Sequence, residues 1–115
     1  MSKDDTWTRT PDVIRRYFEA HDRRDTETAL SAFASDARVF DDGHDYRGVD
    51  AIRDWLTRAS TQFTYTRTLV DVSEGDPNHW HVRNRLQGDF PGGVVELRYQ
   101  FRIADGAIAE LIIEP

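Results

Sequence analysis

Acidic and imidazole side chains cluster in the stretch ARVFDDGHDYRG, which runs from residue 37 to residue 48. The ionisable side chains in the middle of this stretch are Asp41, Asp42, His44 and Asp45. Such a group could bind a metal, supply a general base or form a solvated turn. In a strand, neighbouring side chains point to opposite faces, so Asp41 and Asp42 diverge. Zinc needs about four converging ligands. We therefore expect no metal here, with Asp41 on the inward face of the strand, Asp42 in solvent and His44 in the turn that follows.

Three helices are predicted to position these residues. Thr10 and Pro11 suit the cap and the first turn of a helix. The apolar stripe that follows them comprises Val13, Ile14, Tyr17, Phe18 and His21. Asp25 is expected to cap a second, short helix that carries Ala29, Leu30 and Phe33. Apolar residues at helical spacing predict a third helix, namely Ile52, Trp55, Leu56 and Ala59.

The rest of the chain has the composition of β-strands, rich in Val, Ile, Thr and aromatic residues. Turn sequences EGDPN, PGG and ADG separate the last four strands, and such short connections predict antiparallel hairpins. The order α-α-β-α-β-β-β-β indicates an α+β domain. The predicted strands cover residues 37–41, 63–72, 79–89, 94–104 and 107–114.

Alternation in two of these strands predicts which side chains face the helices. Tyr99 and Phe101 share one face of their strand with Leu97, so they should point inward. On the preceding strand, Trp80 and Asn84 should also point inward. Asn84 is then a polar group among apolar ones, and a buried amide needs a partner. Asn84 is therefore either satisfied locally or faces a wet pocket.

The composition narrows the class of protein. The chain has 115 residues and a net charge of −6, with 15 Lys and Arg among 21 Asp and Glu, which disfavours nucleic acid as the main partner. It contains no cysteine, no apolar run long enough to cross a membrane and no signal-peptide pattern at its start. We expect a cytoplasmic protein with a flexible tail over residues 1–9 and a single domain over residues 10–115.

Three stretches resemble the nuclear transport factor 2-like superfamily, and its SnoaL-like polyketide cyclase and ketosteroid isomerase branches in particular. They are VIRRYFEAHDRRD (13–25), ALSAFASDARVFDDG (29–43) and RGVDAIRDWL (47–56). The resemblance implies a cone-shaped α+β barrel, in which a curved, mostly antiparallel sheet wraps around three N-terminal helices. It also implies an apolar cavity at the wide end of the cone.

The resemblance to ketosteroid isomerases assigns roles to three residues. Tyr17 falls on the helix-1 tyrosine that donates a hydrogen bond to the substrate oxyanion, and Asp41 falls on the carboxylate that moves the proton. Tyr99 falls where that family has a protonated aspartic acid. A neutral phenol also donates one hydrogen bond, so this substitution preserves the donor.

Two functions are compatible with these residues. The first is a cofactor-free isomerase, cyclase or lyase (a dehydratase among them) that acts on a small apolar, carbonyl-bearing molecule. The alternative is a non-catalytic ligand-binding or dimerisation module of the same fold. Arginines on the wet face of the sheet, together with the resemblance, predict a homodimer through the sheet. The expected ligand contacts are Asn84, Trp80, Trp55, Phe101, His21 and His44.

Overall fold

A computed structural model describes residues 3–115 of the chain, with side chains from residue 6 onward. The helices are α1 (Lys3–Arg9), α2 (Asp12–Asp22), α3 (Thr26–Leu30) and α4 (Val49–Thr61). The strands are β1 (Phe33–Asp41), β2 (His44–Arg47), β3 (Tyr65–Glu74), β4 (His79–Gly88), β5 (Val94–Ala104) and β6 (Ala107–Glu114).

The strands form one curved, unclosed sheet with the order β2-β1-β6-β5-β4-β3. Neighbouring strands are antiparallel except for β1 and β6, which run parallel. The helices pack on one face of this sheet, so that the predicted α+β class and curved, mostly antiparallel sheet are confirmed. The four hairpin-linked strands predicted from the turn sequences lie where they were expected.

The stretch around Asp41 forms a hairpin that the sequence pattern did not predict. β1 begins at Phe33, which was expected in the second helix, and β2 covers His44–Arg47, where no strand was predicted. Asp42 and Gly43 connect the strands with φ of 53° and 77°. An Asp-Gly pair adopts this left-handed backbone readily and favours a tight hairpin turn. The hairpin fixes the end of β1, and therefore the position of Asp41.

The N-terminal region begins with a helix. Lys3–Arg9 is helical and the Trp7 ring lies 6.1 Å from Phe18, whereas the flexibility expected for residues 1–9 stays a prediction. Residues 1 and 2 lie outside the described part of the chain. The Thr10 hydroxyl donates to the Thr6 carbonyl at 2.9 Å instead of capping α2. The predicted cap at Asp25 is confirmed, since its carboxylate accepts from the Thr28 N–H.

Buried aromatic rings hold α2 against the sheet. The Phe18 ring lies edge-on to Tyr99 at 5.1 Å and to Phe101 at 5.6 Å. The Tyr17 ring meets Phe33 at 5.5 Å. Each such pair contributes about 0.5–1.5 kcal/mol beyond the apolar area that it buries. This packing fixes where the hydroxyl groups of Tyr17 and Tyr99 can lie.

The opposite face of the sheet is polar and exposed. Its cross-strand ion pairs include Arg85–Glu96 at 3.4 Å and Arg98–Glu114 at 3.7 Å. The homodimer expected through this face stays a prediction, as does the cytoplasmic location. Within residues 3–115, no helix has the length and apolar character needed to span a bilayer.

Candidate functional site

A cavity of about 290 Å³ opens between the helices and the concave face of the sheet. Leucine, valine, isoleucine and phenylalanine side chains form much of its wall. α2, the end of β1, β3 and β5 supply most of its polar groups, namely Tyr17, His21, Asp41, Tyr65, Arg67 and Tyr99, and Gln62 at the end of α4 adds another. The cavity therefore combines an apolar lining with a few converging polar groups, as ligand sites commonly do.

Asp41 is the acidic group of this cavity. Its Oδ2 accepts a hydrogen bond of 3.0 Å from Trp55 Nε1, which orients the carboxylate. Burial raises the pKa of Asp41 above its ordinary value, and the Trp55 hydrogen bond opposes that rise. A carboxylate with a raised pKa is a stronger base while it remains ionised at pH 7. Asp41 can therefore accept a proton from a bound molecule.

Tyr17 and Tyr99 place two phenols on the same cavity. Burial, followed by the nearby Tyr99, raises the pKa of Tyr17 well above its ordinary value. Burial likewise raises the pKa of Tyr99, and the Asn84 side chain opposes that rise. Both phenols are neutral at pH 7 and can donate hydrogen bonds. Because Tyr17 and Tyr99 both line the cavity, their hydroxyl protons can be donated to a ligand.

His21 and Tyr65 form a hydrogen-bonded pair in the cavity wall. The Tyr65 hydroxyl lies 3.1 Å from His21 Nε2, and the His21 ring stacks on Tyr17 with centroids 5.8 Å apart. Burial lowers the pKa of His21, so its ring is neutral at pH 7. Burial raises the pKa of Tyr65, which keeps that phenol protonated. The pair is therefore uncharged at neutral pH.

Arg67 brings a guanidinium group to the same wall, where sequence reasoning did not expect one. Its Nη2 lies 2.8 Å from Asp22 Oδ2, and its Nη1 donates to Asn84 Oδ1 at 3.1 Å. The guanidinium also covers the Phe18 ring at 4.6 Å. Asn84 is fully buried, and its Nδ2 has no partner within the described side chains.

The sequence contains a pattern that indicates an inward position for Tyr65 and Arg67, although the sequence analysis did not use it. In β3 these two residues and Leu69 alternate with exposed threonines, in the sequence YTRTL. This period of two indicates an inward face, as it did for the strand that carries Tyr99. The sequence analysis predicted this strand but did not assign which of its residues face inward.

The structure brings most of the predicted catalytic and aromatic residues to one place. Tyr17, Asp41 and Tyr99 line the cavity together with Trp55 and His21. These five residues come from four separate elements and line the same cavity.

The other predicted ligand contacts lie elsewhere. Asn84 sits behind Arg67 instead of lining the cavity. His44 lines a neighbouring recess that also includes Asp41, and its Nδ1 lies 2.9 Å from the Asp42 carbonyl oxygen. Trp80 and Phe101 are paired across β4 and β5 and are buried in the core, away from the cavity lining. Alternation gives the face of a side chain but not its depth along the sheet.

The sheet, the helices and this cavity define a nuclear transport factor 2-like α+β protein. The chain belongs to the SnoaL-like domain family, whose model matches residues 14–111. No curated protein matches the chain.

Solved structures of several bacterial proteins share the fold. A candidate polyketide cyclase from Sinorhizobium meliloti is 35% identical, with a TM-score of 0.86 over 99% of this chain and 100% of that protein. A Catenulispora acidiphila protein with a ketosteroid isomerase-like fold, in complex with trimethylamine, is 17% identical (TM-score 0.79, 92% and 86% covered). RV0760c from Mycobacterium tuberculosis, in complex with estradiol-17beta-hemisuccinate, is 17% identical (TM-score 0.76, 90% of each chain covered).

Proposed function

We propose that the chain is a cofactor-free isomerase or cyclase that forms an enolate from a small apolar carbonyl compound. One observation carries the proposal: the Asp41 carboxylate, oriented by Trp55 and with a raised pKa, shares an apolar cavity with the phenols of Tyr17 and Tyr99. A base and neutral hydrogen-bond donors on one cavity are the groups that enolisation needs.

The reaction requires two proton transfers and no cofactor. Asp41 takes a proton from the carbon beside the carbonyl, and the C–H electron pair moves to form an enolate. Hydrogen bonds from Tyr17 and Tyr99 stabilise the negative charge on the oxygen. In an isomerisation, protonated Asp41 returns the proton to a different carbon. In a cyclisation, the enolate carbon attacks a second carbonyl of the same molecule, and the new alkoxide takes the proton.

The relatives support a small organic ligand. The 35% identical protein from Sinorhizobium meliloti is described as a candidate polyketide cyclase, and polyketides carry the carbonyl groups on which this chemistry acts. Two of the more distant structures hold small molecules, trimethylamine and estradiol-17beta-hemisuccinate. An apolar cavity of about 290 Å³ suits a ligand of one or two rings.

Deuterium exchange into 2-tetralone tests the enolisation. This two-ring ketone exchanges its α-hydrogens through an enolate, and mass spectrometry counts the deuterium atoms gained in D2O. We expect the protein to accelerate exchange and Asp41→Asn to reduce the acceleration by about 100-fold or more. The asparagine oxygen can still accept from Trp55, so the variant removes the base and preserves the hydrogen bond.

Asp42→Asn is the matched control for this experiment. Asp42 is the next residue, is exposed, and has a left-handed backbone that asparagine tolerates. The exchange rate of this variant should stay close to that of the original protein, because burial raises the pKa of Asp41 more than the Asp42 charge does. Full activity in Asp41→Asn would rule out the proposed base.

The second candidate is a non-catalytic binding protein of the same fold. The complexes of two distant relatives favour it, because these proteins hold trimethylamine and estradiol-17beta-hemisuccinate. Fluorescence titration with 2-naphthol, the aromatic counterpart of the enol of 2-tetralone, separates the two functions. Binding of 2-naphthol without any exchange of 2-tetralone would favour the binding protein.

A further inference from the structure

A second, polar recess of about 280 Å³ adjoins the apolar cavity. The two share the side chains of His21, Tyr65 and Arg67. The recess lies between the C-terminal ends of α2 and α4 and the start of β3. Its remaining lining consists of Asp22, Arg24, Ser60 and Thr66. A ligand can therefore contact both spaces across one common wall.

The recess carries one more positive charge than negative charge. Arg24 and Arg67 are cationic, Asp22 is the anion, and the buried ring of His21 is neutral at pH 7. The Arg24 Nε donates to the Ser60 carbonyl at 2.8 Å, which holds its guanidinium at the rim. In a chain with a net charge of −6, two arginines on one recess form a local attraction for an anion.

Arg67 has donors that the protein does not use. A guanidinium carries five N–H groups. Asp22 accepts from Nε and from Nη2, and Asn84 accepts from Nη1, which leaves two N–H groups without an acceptor among the described side chains. The side chain is only 14% exposed, so bulk water has little access to these donors.

We infer that the ligand of this site is an apolar ring compound that bears one carboxylate, with the ring in the cavity and the carboxylate in the recess against Arg67 and Arg24. The inference rests on the proposed function, because it names the class of molecule on which the cavity acts. The planar guanidinium of Arg67 matches a carboxylate in two parallel hydrogen bonds. A single carboxylate balances the surplus charge, whereas a phosphate dianion would exceed it.

Calorimetry with a matched pair of probes tests this inference. 2-Naphthylacetate and its neutral isostere 2-naphthylacetamide differ in charge but hardly in shape. We expect the acid to bind about tenfold more tightly than the amide at pH 7.5, with a preference that weakens as salt is added. Arg67→Gln should remove the preference, and Arg24→Gln should reduce it about threefold. Arg102→Gln, an exposed arginine on the outer sheet face, is the control and should preserve it.

Asp22→Asn gives a result that damage to the fold cannot imitate. This variant retains Arg67 and removes the carboxylate that competes for it, so the acid should bind at least threefold more tightly than to the original protein. Unchanged or weaker binding by Asp22→Asn overturns the inference, as does equal affinity of the original protein for acid and amide. Tighter binding of 2-naphthyl phosphate than of 2-naphthylacetate would overturn the assignment of a carboxylate.

The two proposals can fail separately. Exchange of 2-tetralone, which carries no carboxylate, reports on the enolisation by Asp41 and the phenols and does not require an anion site in the recess. Exchange without an acid preference would overturn only the carboxylate inference. An acid preference without exchange would overturn only the catalytic function and would leave a binding site for apolar acids.

Discussion

Replacing Trp55 with phenylalanine should destabilise the protein more at neutral pH than in acid. The variant retains an aromatic ring but removes the Nε1–H that donates to Asp41 at 3.0 Å. A hydrogen bond to a charged group contributes about 1.5–3 kcal/mol. Because Asp41 is partly exposed, solvent screens this hydrogen bond, and we expect its contribution to the free energy of unfolding to be at the lower end of that range, about 1.5 kcal/mol. For a domain of this size the loss corresponds to about 6 °C in Tm.

The pH dependence follows from the direction of the Asp41 shift. Its pKa is higher in the folded chain than its ordinary value of 3.8, so the folded protein takes up the proton first as the pH falls. This group's contribution to stability therefore rises on acidification, between the folded pKa and 3.8. Without the Trp55 hydrogen bond the folded pKa is higher still, so the variant gains more stability in acid than the original protein does.

Urea denaturation at pH 7.5 and pH 3.8 measures this difference. The packing cost of the smaller ring is the same at both pH values and cancels in the comparison. We expect the destabilisation by Trp55→Phe to be about 1 kcal/mol smaller at pH 3.8. In the Asp41→Asn background it should be independent of pH. A destabilisation that is equal at both pH values in the original background would refute the assignment of an ionised Asp41 to this hydrogen bond.

Two further substitutions separate chemistry from folding. Tyr17→Phe should lower the exchange rate of 2-tetralone about 10²- to 10³-fold, as expected for one oxyanion donor. Its Tm should hardly change, because phenylalanine retains the ring that packs against Phe18 and Phe33; an unchanged rate would contradict the role. Gly88→Ala should cost about 1–3 kcal/mol in urea denaturation, since the new Cβ would lie 2.6 Å from Tyr65 Cβ. Gly75→Ala meets only the tip of His81 at 3.3 Å and should cost less; equal losses would contradict the steric reason.

The class of the domain and the inward face of most elements could be predicted from the amino-acid sequence. Alternation placed Tyr99 and Asn84 inward, and helical spacing placed Tyr17 and His21 on one stripe. These are local properties, because side-chain direction repeats every two residues in a strand and about every 3.6 in a helix. The three stretches between residues 13 and 56 that resemble the family are also local in the sequence. The Asp42-Gly43 pair after Asp41 is also a local signal for a hairpin turn, although the sequence analysis did not predict the hairpin.

Which of the inward residues reach the cavity depends on the packing of distant elements and could not be predicted from the sequence. Trp80 and Phe101 face the same way as Tyr99 but end in the core, whereas Arg67 reaches the cavity from the edge strand. Depth along a curved sheet depends on how distant elements pack, and no local period records it. The neutral state of His21 and the raised pKa of Asp41 have the same origin, since burial by distant parts of the chain causes both.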